Sequence, residues 1–428
     1  MMLRLYQLLT FISGPLIDLY LLKRKKMGKE DEQRFSERLG YGGFPRPKGS
    51  VVWVHAASVG EALSILPIIN KLNGRYKNMS FLLTTGTTTS AKLIESRLPK
   101  EAFHQYVPVD KIMAVSRFLK HWKPNLALWV ESELWPNLVT QTSNYCPIIL
   151  VNGRMSDASY NKWQKYKSLG KQVVSRFTLT LPQSKHDAER FERLGARNVK
   201  YLGNIKFDAP ALPSDSEKMG VLIGQIGQRP VWLASSTHAN EEQFVAQIHK
   251  SLKESHQDLL TIIAPRHPKR AEEIEKDILQ LNLNVSVRSK DQPITDQTDI
   301  YLADTLGELG LFYRLVPVVF IGGSLVERGG QNPLEAARLD CAIIYGPHMD
   351  NFIEIKRELE MAKAAICIKN KAELEESIDT LLTDHTKQEE LANAASKIVE
   401  EKSGVLDAFV NEIIPYLDKI ADNKNEVS

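Results

Sequence analysis

The residues in this chain able to do chemistry gather where apolar runs end. The clearest case is Val51-Val-Trp-Val-His-Ala-Ala-Ser58-Val-Gly-Glu61. Its opening residues, β-branched at 51, 52 and 54, predict a buried strand. Small and polar residues then turn the chain at 56–60, and an apolar-periodic helix runs on to about residue 72. A strand–turn–helix unit places its loop at the carboxyl edge of a parallel sheet, where open α/β folds bind ligands. Glu61 in that loop has two readings. With Ser58 three residues before it, it completes a capping box; as a carboxylate at the ligand edge, it is a general base. A helix N-terminus stabilises the anion, which keeps Glu61 ionised at neutral pH and makes it a weaker base.

Further polar clusters follow further predicted strands. Glu131-Ser-Glu133-Leu-Trp135-Pro-Asn137 comes directly after the apolar run 126–130. Buried acids beside tryptophan are costly unless partnered or used, and the alternative is a surface loop anchored by Trp135. Gly203-Asn-Ile-Lys206-Phe-Asp208 brings Lys206 near the domain junction, unless it is a plain surface lysine. Ser235-Ser-Thr-His238-Ala-Asn-Glu241-Glu242 imitates a metal site, but no second histidine follows at helical spacing, and helix capping by Ser or Thr is the simpler reading. Pro265-Arg266-His267-Pro-Lys269-Arg270 sets cations at a strand end. The planar fork of Arg266 suits phosphate oxygens; a solvated charge run is the alternative. In Gly322-Gly-Ser-Leu-Val-Glu-Arg328-Gly-Gly-Gln331-Asn332-Pro-Leu-Glu335, glycines let main-chain amides approach a phosphate or ring. A helix starting near Asn332-Pro333 would point its dipole at an anion, and Glu335 could accept ribose hydroxyls. Leu306-Gly307-Glu308 adds one more glycine turn. Neither a Walker loop nor a GxGxxG fingerprint is present.

The elements that must position these clusters alternate in type. Strands are predicted at 51–55, 80–84, 105–107, 126–130, 148–152, 178–181 and 199–202, then at 231–234, 259–264, 285–287, 300–302, 318–321, 342–345 and 365–368. Helical patterns lie between most of them, which means parallel, doubly wound sheets. The 428 residues exceed one ordinary core, so two domains facing each other across a cleft are expected, joined near 203–216 by Pro210 and Pro213. The charged tail at 372–422 reads as helical, its last helix packing back across the cleft. Apolar residues at 43% and charged residues at 25% describe a soluble globular body, and a net charge of +3 is too small for nucleic acid. Cys146, Cys341 and Cys367 are scattered, which suggests buried free thiols in a reducing compartment and no metal site.

The N-terminus departs from that average. Residues 3–22 are apolar except for Arg4, Gln7, Thr10, Ser13 and Asp18, and Lys23-Arg24-Lys25-Lys26 follows. A 20-residue helix of about 30 Å just spans a bilayer. Asp18 and Gly14-Pro15 leave an interfacial helix, or a buried amphipathic one, as alternatives. No small-residue cleavage site precedes the basic run, which itself favours the cytoplasmic side beside anionic lipid. The reading is an uncleaved anchor holding a cytoplasmic body on a membrane.

Taken in order, with Gly346-Pro-His-Met-Asp-Asn-Phe352 added, these motifs resemble those of the 3-deoxy-D-manno-octulosonic acid (Kdo) transferases of lipopolysaccharide synthesis over nearly the whole chain, the anchor and residues 34–40 included. The resemblance implies a GT-B fold of two Rossmann-like domains. Residues 1–26 would be the membrane anchor, 27–208 the acceptor-binding domain, 209–216 the linker and 217–428 the CMP-sugar-binding domain. It also implies CMP-Kdo as donor, the lipid A precursor lipid IVA as acceptor, no metal or other cofactor, and a place on the cytoplasmic face of a bacterial inner membrane. Carried onto this sequence, Glu61 is the proton acceptor, and Glu131 and Lys206 assist the transition state. Pro265, Arg266, Leu306, Gly307, Glu308, Asn332, Pro333, Leu334 and Glu335 surround CMP. Four positions depart from the family pattern: Glu327-Arg328 stands where Pro-His is common, Gln331 where His is common, and Gly153 where Ala is frequent. The rival readings are another GT-B enzyme using a UDP-sugar, an epimerase on the same scaffold, or a membrane-tethered binder without turnover.

Overall fold

The computed structural model describes residues 2–95 and 97–425. Its first half is organised by β1 (Ser50–His55), β2 (Met79–Thr85), β3 (Ala102–Tyr106), β4 (Leu126–Val130), β5 (Ile148–Gly153) and β6 (Leu179–Pro182). They form one sheet in the order β3-β2-β1-β4-β5-β6, and every pairing is parallel. Helices cover both faces, so the strands are apolar on both: Val52 and Val54 join one core cluster, Val51 and Trp53 the other. The strand expected at 199–202 does not form. Val199 makes only an isolated bridge to Thr180, because Asn198 at φ 51° and Gly203 at φ 117° turn the chain away on either side.

The strand order locates the site. The chain passes from β1 to β2 and β3 on one side, then returns to lay β4 on the other. The loops leaving β1 and β4 therefore part company at their carboxyl ends and open a crevice between them. Those loops carry Glu61 and the 131–137 motif.

Contacts divide the chain into Met1–Ala209 with Ser403–Ser428, and Pro210–Lys402. The tail joins the first unit because helix Val405–Asn425 lays Phe409, Ile413 and Leu417 into the cluster around Val54, Ile65 and Ile69. Asp208 also accepts hydrogen bonds from the amides of Gly404 and Leu406.

The second unit contains β7 (Val231–Thr237), β8 (Leu260–Pro265), β9 (Val285–Val287), β10 (Ile300–Leu302), β11 (Val318–Ile321), β12 (Ala342–Tyr345) and β13 (Ala365–Cys367). They form a second parallel sheet in the order β13-β12-β11-β7-β8-β10-β9. Its switch point lies between β7 and β11. Cys146 and Cys341 are buried, but Cys367 is exposed at the end of edge strand β13, so the expectation of buried thiols fails there.

The apolar N-terminal run is not one 20-residue helix. Helices Met2–Ile12 and Gly14–Lys26 meet at 58°, where Pro15 lacks an amide to continue the ladder. Among the described residues no single helix is long and apolar enough to cross a membrane, although this bent pair passes the same test together. Both helices are tied to the first unit. Tyr6 donates to Asp110 at 2.8 Å, and Lys111 pairs with Asp18 at 2.7 Å. Leu8, Phe11, Ile12, Leu16 and Leu19 remain exposed.

Candidate active site

Glu61 stands on the first turn of helix Val59–Arg75, and its capping box is formed. Its amide donates to Ser58 Oγ at 3.3 Å, its Oε1 accepts from that hydroxyl at 3.0 Å, and its Oε2 accepts from the Ala57 amide at 2.9 Å. The expectation that the helix terminus keeps this carboxylate readily ionised does not hold. Glu61 is only 8% exposed, and burial, followed by the nearby charge of Glu131, raises its carboxyl to about 7. The two cap bonds oppose that rise without cancelling it. A cap and a group able to exchange a proton at neutral pH are thus the same residue.

Glu131 leaves β4 in the left-handed region at φ 57°, an uncommon conformation for a side-chain-bearing residue and one found enriched at functional sites. Lys206 Nζ lies 2.7 Å from its Oε1. Several groups set this pair. Asn152, itself at φ 55°, accepts the Ile205 amide through Oδ1 at 3.2 Å, and Asn204 Oδ1 accepts the Lys206 amide at 3.0 Å. The same short 3-10 turn, Ile205–Asp208, is held at its far end by the bonds of Asp208 to the tail. The 131–137 loop is anchored by Asp110, whose carboxylate accepts the amides of Asn137 at 3.2 Å and Leu138 at 2.6 Å. Sequence reasoning missed Asn152, Asp110 and the tail-clamping role of Asp208, since their partners lie far along the chain. His55, though part of the first motif, is a core residue. Its Nδ1 lies 3.0 Å from Thr84 Oγ1, and burial holds its ring neutral, down at about 3.

In the second unit, Pro265, Arg266, Leu306 and Gly307 come together with Ser236 around a small cavity of about 120 Å³. Glu308 does not line it. Its carboxylate is taken up by Arg288 at 2.7 and 2.9 Å, Lys218 at 2.8 Å and Thr305 Oγ1 at 2.5 Å, and the Arg288 bonds hold it well below the usual carboxylate range. Asn332, Pro333, Leu334 and Glu335 also lie outside that lining. Asn332 Oδ1 accepts the Leu334 amide at 3.1 Å, and burial raises the Glu335 carboxyl against the pull of Arg338 and Arg266. The expected dipole at this place fails, because the helix there, Leu334–Ala337, is a single turn.

Cations crowd the edge of β7 and β8. His238 and His267 stand edge to face at 5.6 Å, and burial, then His267, Arg328, Arg266 and Arg270, push the His238 ring down to about 4. Such a cluster favours an anion. Arg328, one of the departures from the family pattern, belongs to it, and Gln331 Nε2 lies 3.3 Å from His238 Nε2. The His238–Glu241–Glu242 grouping is not arranged as metal ligands. Glu241 accepts the amides of His238, Gly323, Ser324 and Leu325 at 2.6–3.2 Å, while Glu242 pairs with Arg270 at 2.8 Å. Capping by Ser or Thr is also corrected: Asn240 precedes the helix at φ 80° with no side-chain cap bond, and Glu241 reaches back instead. Gly322 is required here, because an added Cβ would sit 2.6–2.8 Å from the backbone at 235–237. At Gly153 an added Cβ would meet Leu150 at 2.7 Å.

Residues 33–209 match a family model described as 3-deoxy-D-manno-octulosonic-acid transferase. A 3-deoxy-D-manno-octulosonic acid transferase of Rickettsia bellii is 36% identical over 418 residues, which is 97% of this chain and 100% of that protein. Its counterpart in Haemophilus influenzae is 31% identical over 422 residues, covering 97% of this chain and 98% of that one. Among solved structures, that of S. aureus MnaA with UDP matches with a TM-score of 0.59 over 86% of this chain and 97% of that one, at 14% identity, a likeness of fold.

Proposed function

The chain belongs to the Kdo transferases, glycosyltransferases of lipopolysaccharide biosynthesis, and from that premise we propose that it moves Kdo from CMP-Kdo to lipid IVA with inversion, using Glu61 as the base. The observation that carries this reading is the Glu61 carboxyl, raised to about 7 beside the Glu131–Lys206 pair at the switch point of the first sheet. A base works best when its proton affinity matches the ambient pH.

In the proposed reaction an acceptor hydroxyl gives its proton to Glu61 while its oxygen bonds to the anomeric ketose carbon. The bond from that carbon to the phosphate oxygen breaks on the opposite face. CMP departs with one more negative charge, which suits the cations gathered around Arg266. Glu131 raises the proton affinity of Glu61, and Lys206 offsets the charge of Glu131. The Pro265, Arg266, Leu306 and Gly307 cavity receives part of the nucleotide, with Glu308 bracing the turn and Asn332–Glu335, outside that lining, meeting another part of it. A CMP-sugar has one phosphate, so no pyrophosphate calls for a metal. The exposed apolar residues of the first two helices, followed by Lys23-Arg24-Lys25-Lys26, support attachment to the cytoplasmic face of the inner membrane.

Mass spectrometry of lipid IVA incubated with CMP-Kdo and the protein tests the reading. The acceptor gains the mass of one or more Kdo residues as CMP is released. No gain in acceptor mass, or protection of the protein by UDP in place of CMP, overturns it.

A further inference from the structure

Two cavities open in the first unit on either side of Glu133 and Trp135. One, of about 450 Å³, is lined by Leu5 and Leu9 of helix Met2–Ile12 and by Trp163, Tyr166 and Leu169, with Lys162 also in its lining. The other, of about 430 Å³, is lined by Arg24, Arg38 and Asp110 and reaches Ala57, whose amide holds the Glu61 carboxylate. Tyr6, Glu133 and Trp135 line both. Each volume falls in the range of about 300–1,000 Å³ usual for ligand sites.

The chemistry of the two differs. The first presents mostly aliphatic and aromatic walls with Lys162 and Glu133, while the second sets Arg24 and Arg38, which share the carboxylate of Glu30 at 2.6 and 3.3 Å, beside Asp110 and Glu133. An apolar chamber joined to a polar one of mixed charge complements a molecule with a hydrocarbon chain and a polar, hydroxyl-bearing head. The wall between them is fixed, not incidental. Tyr6 is bonded to Asp110, and Asp110 also anchors the loop that carries Glu131 and Glu133.

We propose that this pair of cavities binds the lipid acceptor, one acyl chain in the apolar chamber and the polar head in the chamber of Arg24, Arg38, Asp110 and Glu133, so that the N-terminal helix is a wall of the substrate site as well as a membrane contact. The proposal rests on the lipid-acceptor reading above and assigns residues to it. Leu5 and Leu9 are 47% and 56% exposed, so a chain can reach the chamber past them.

The test uses the full-length protein in mixed micelles, with an acceptor brominated on its acyl chains, which quenches tryptophan on contact. Trp135 and Trp163 line the chamber, whereas Trp53, Trp122, Trp129 and Trp232 are fully buried. The brominated acceptor quenches more strongly than a brominated phospholipid at the same mole fraction, and Trp163→Phe loses part of that difference. Equal quenching by the two lipids overturns the proposal. In a second measurement, Leu5→Trp fills the chamber and lowers the ratio of kcat/KM for acylated over deacylated acceptor about tenfold, the effect of excluding roughly two methylenes. An unchanged ratio in the folded variant overturns the proposal too, and should that variant not fold, the quenching result on the native chain decides. Absence of Kdo transfer to any lipid by the native protein instead defeats the functional reading itself, so the two failures are distinguishable.

Discussion

Glu61 and Glu241 hold matching places in the two units. Each follows the first strand of its sheet, each lies on the first turn of the next helix, and each adjoins the point where strand order reverses. Their carboxylates are nevertheless employed differently. Glu241 accepts four main-chain amides, three of them from the loop after β11, and so shapes that glycine loop. Glu61 takes one amide and one hydroxyl from its own turn and faces the charges of Glu131 and Glu133. Burial raises both acids, but Glu241 has amides pulling against the rise on both oxygens. One local position therefore yields a strut in one unit and a proton-exchanging group in the other.

The widest gap between the two should appear at Glu61→Gln. As the proposed base, its loss costs at least ~10²-fold in turnover, read as CMP release in the presence of acceptor, while the glutamine keeps most of the cap. A rate near that of the native protein removes the distinction. Stability should move the other way. The native state holds the Glu61 proton up to about 7, whereas an ordinary carboxyl titrates near 4.5, so the native protein loses stability as pH climbs between those values. Activity needing the free carboxylate rises over the same interval. Glu61→Gln should thus melt higher than the native protein at pH 8 and show no such gain at pH 4.

Glu241→Ala should act through structure. It strands buried amides of the loop after β11, a loss of roughly 2–3 kcal/mol that chemical denaturation would register. Donor KM should rise because the loop loses its brace, while the midpoint of the pH–rate curve stays where Glu61 sets it. A shifted midpoint with an unchanged KM would reverse the assignment. Glu131→Gln is the finest probe. Removing that neighbouring charge lowers the Glu61 carboxyl, so the rising limb of the pH–rate curve moves to more acid pH, by no more than about one unit. A limb that stays in place means that burial alone sets the base.

Much of the scaffold was readable from the chain. Parallel strands buried on both faces appear as unbroken β-branched and aliphatic runs, and thirteen of the fourteen predicted segments correspond to strands among the described residues. The exception, 199–202, has the composition of a strand but sits between two residues of positive φ. Motifs after the strands were legible for the same reason, since a doubly wound sheet sends every such loop to one edge. The roles of Glu308 and Glu335 were not, because Arg288, Lys218 and Arg338 reveal themselves as partners only once the chain is folded.

By itself the sequence determined the alternation of strand and helix, the cap at Ser58, the family and the residues gathered at each sheet edge. Only the tertiary structure decided that Lys206 reaches Glu131, that the tail holds Asp208, that the N-terminal run bends at Pro15, and that Glu61 titrates near neutrality. Capping and periodicity act between residues a few positions apart. Desolvation and Coulomb interaction depend on distance through space, and folding alone sets that distance.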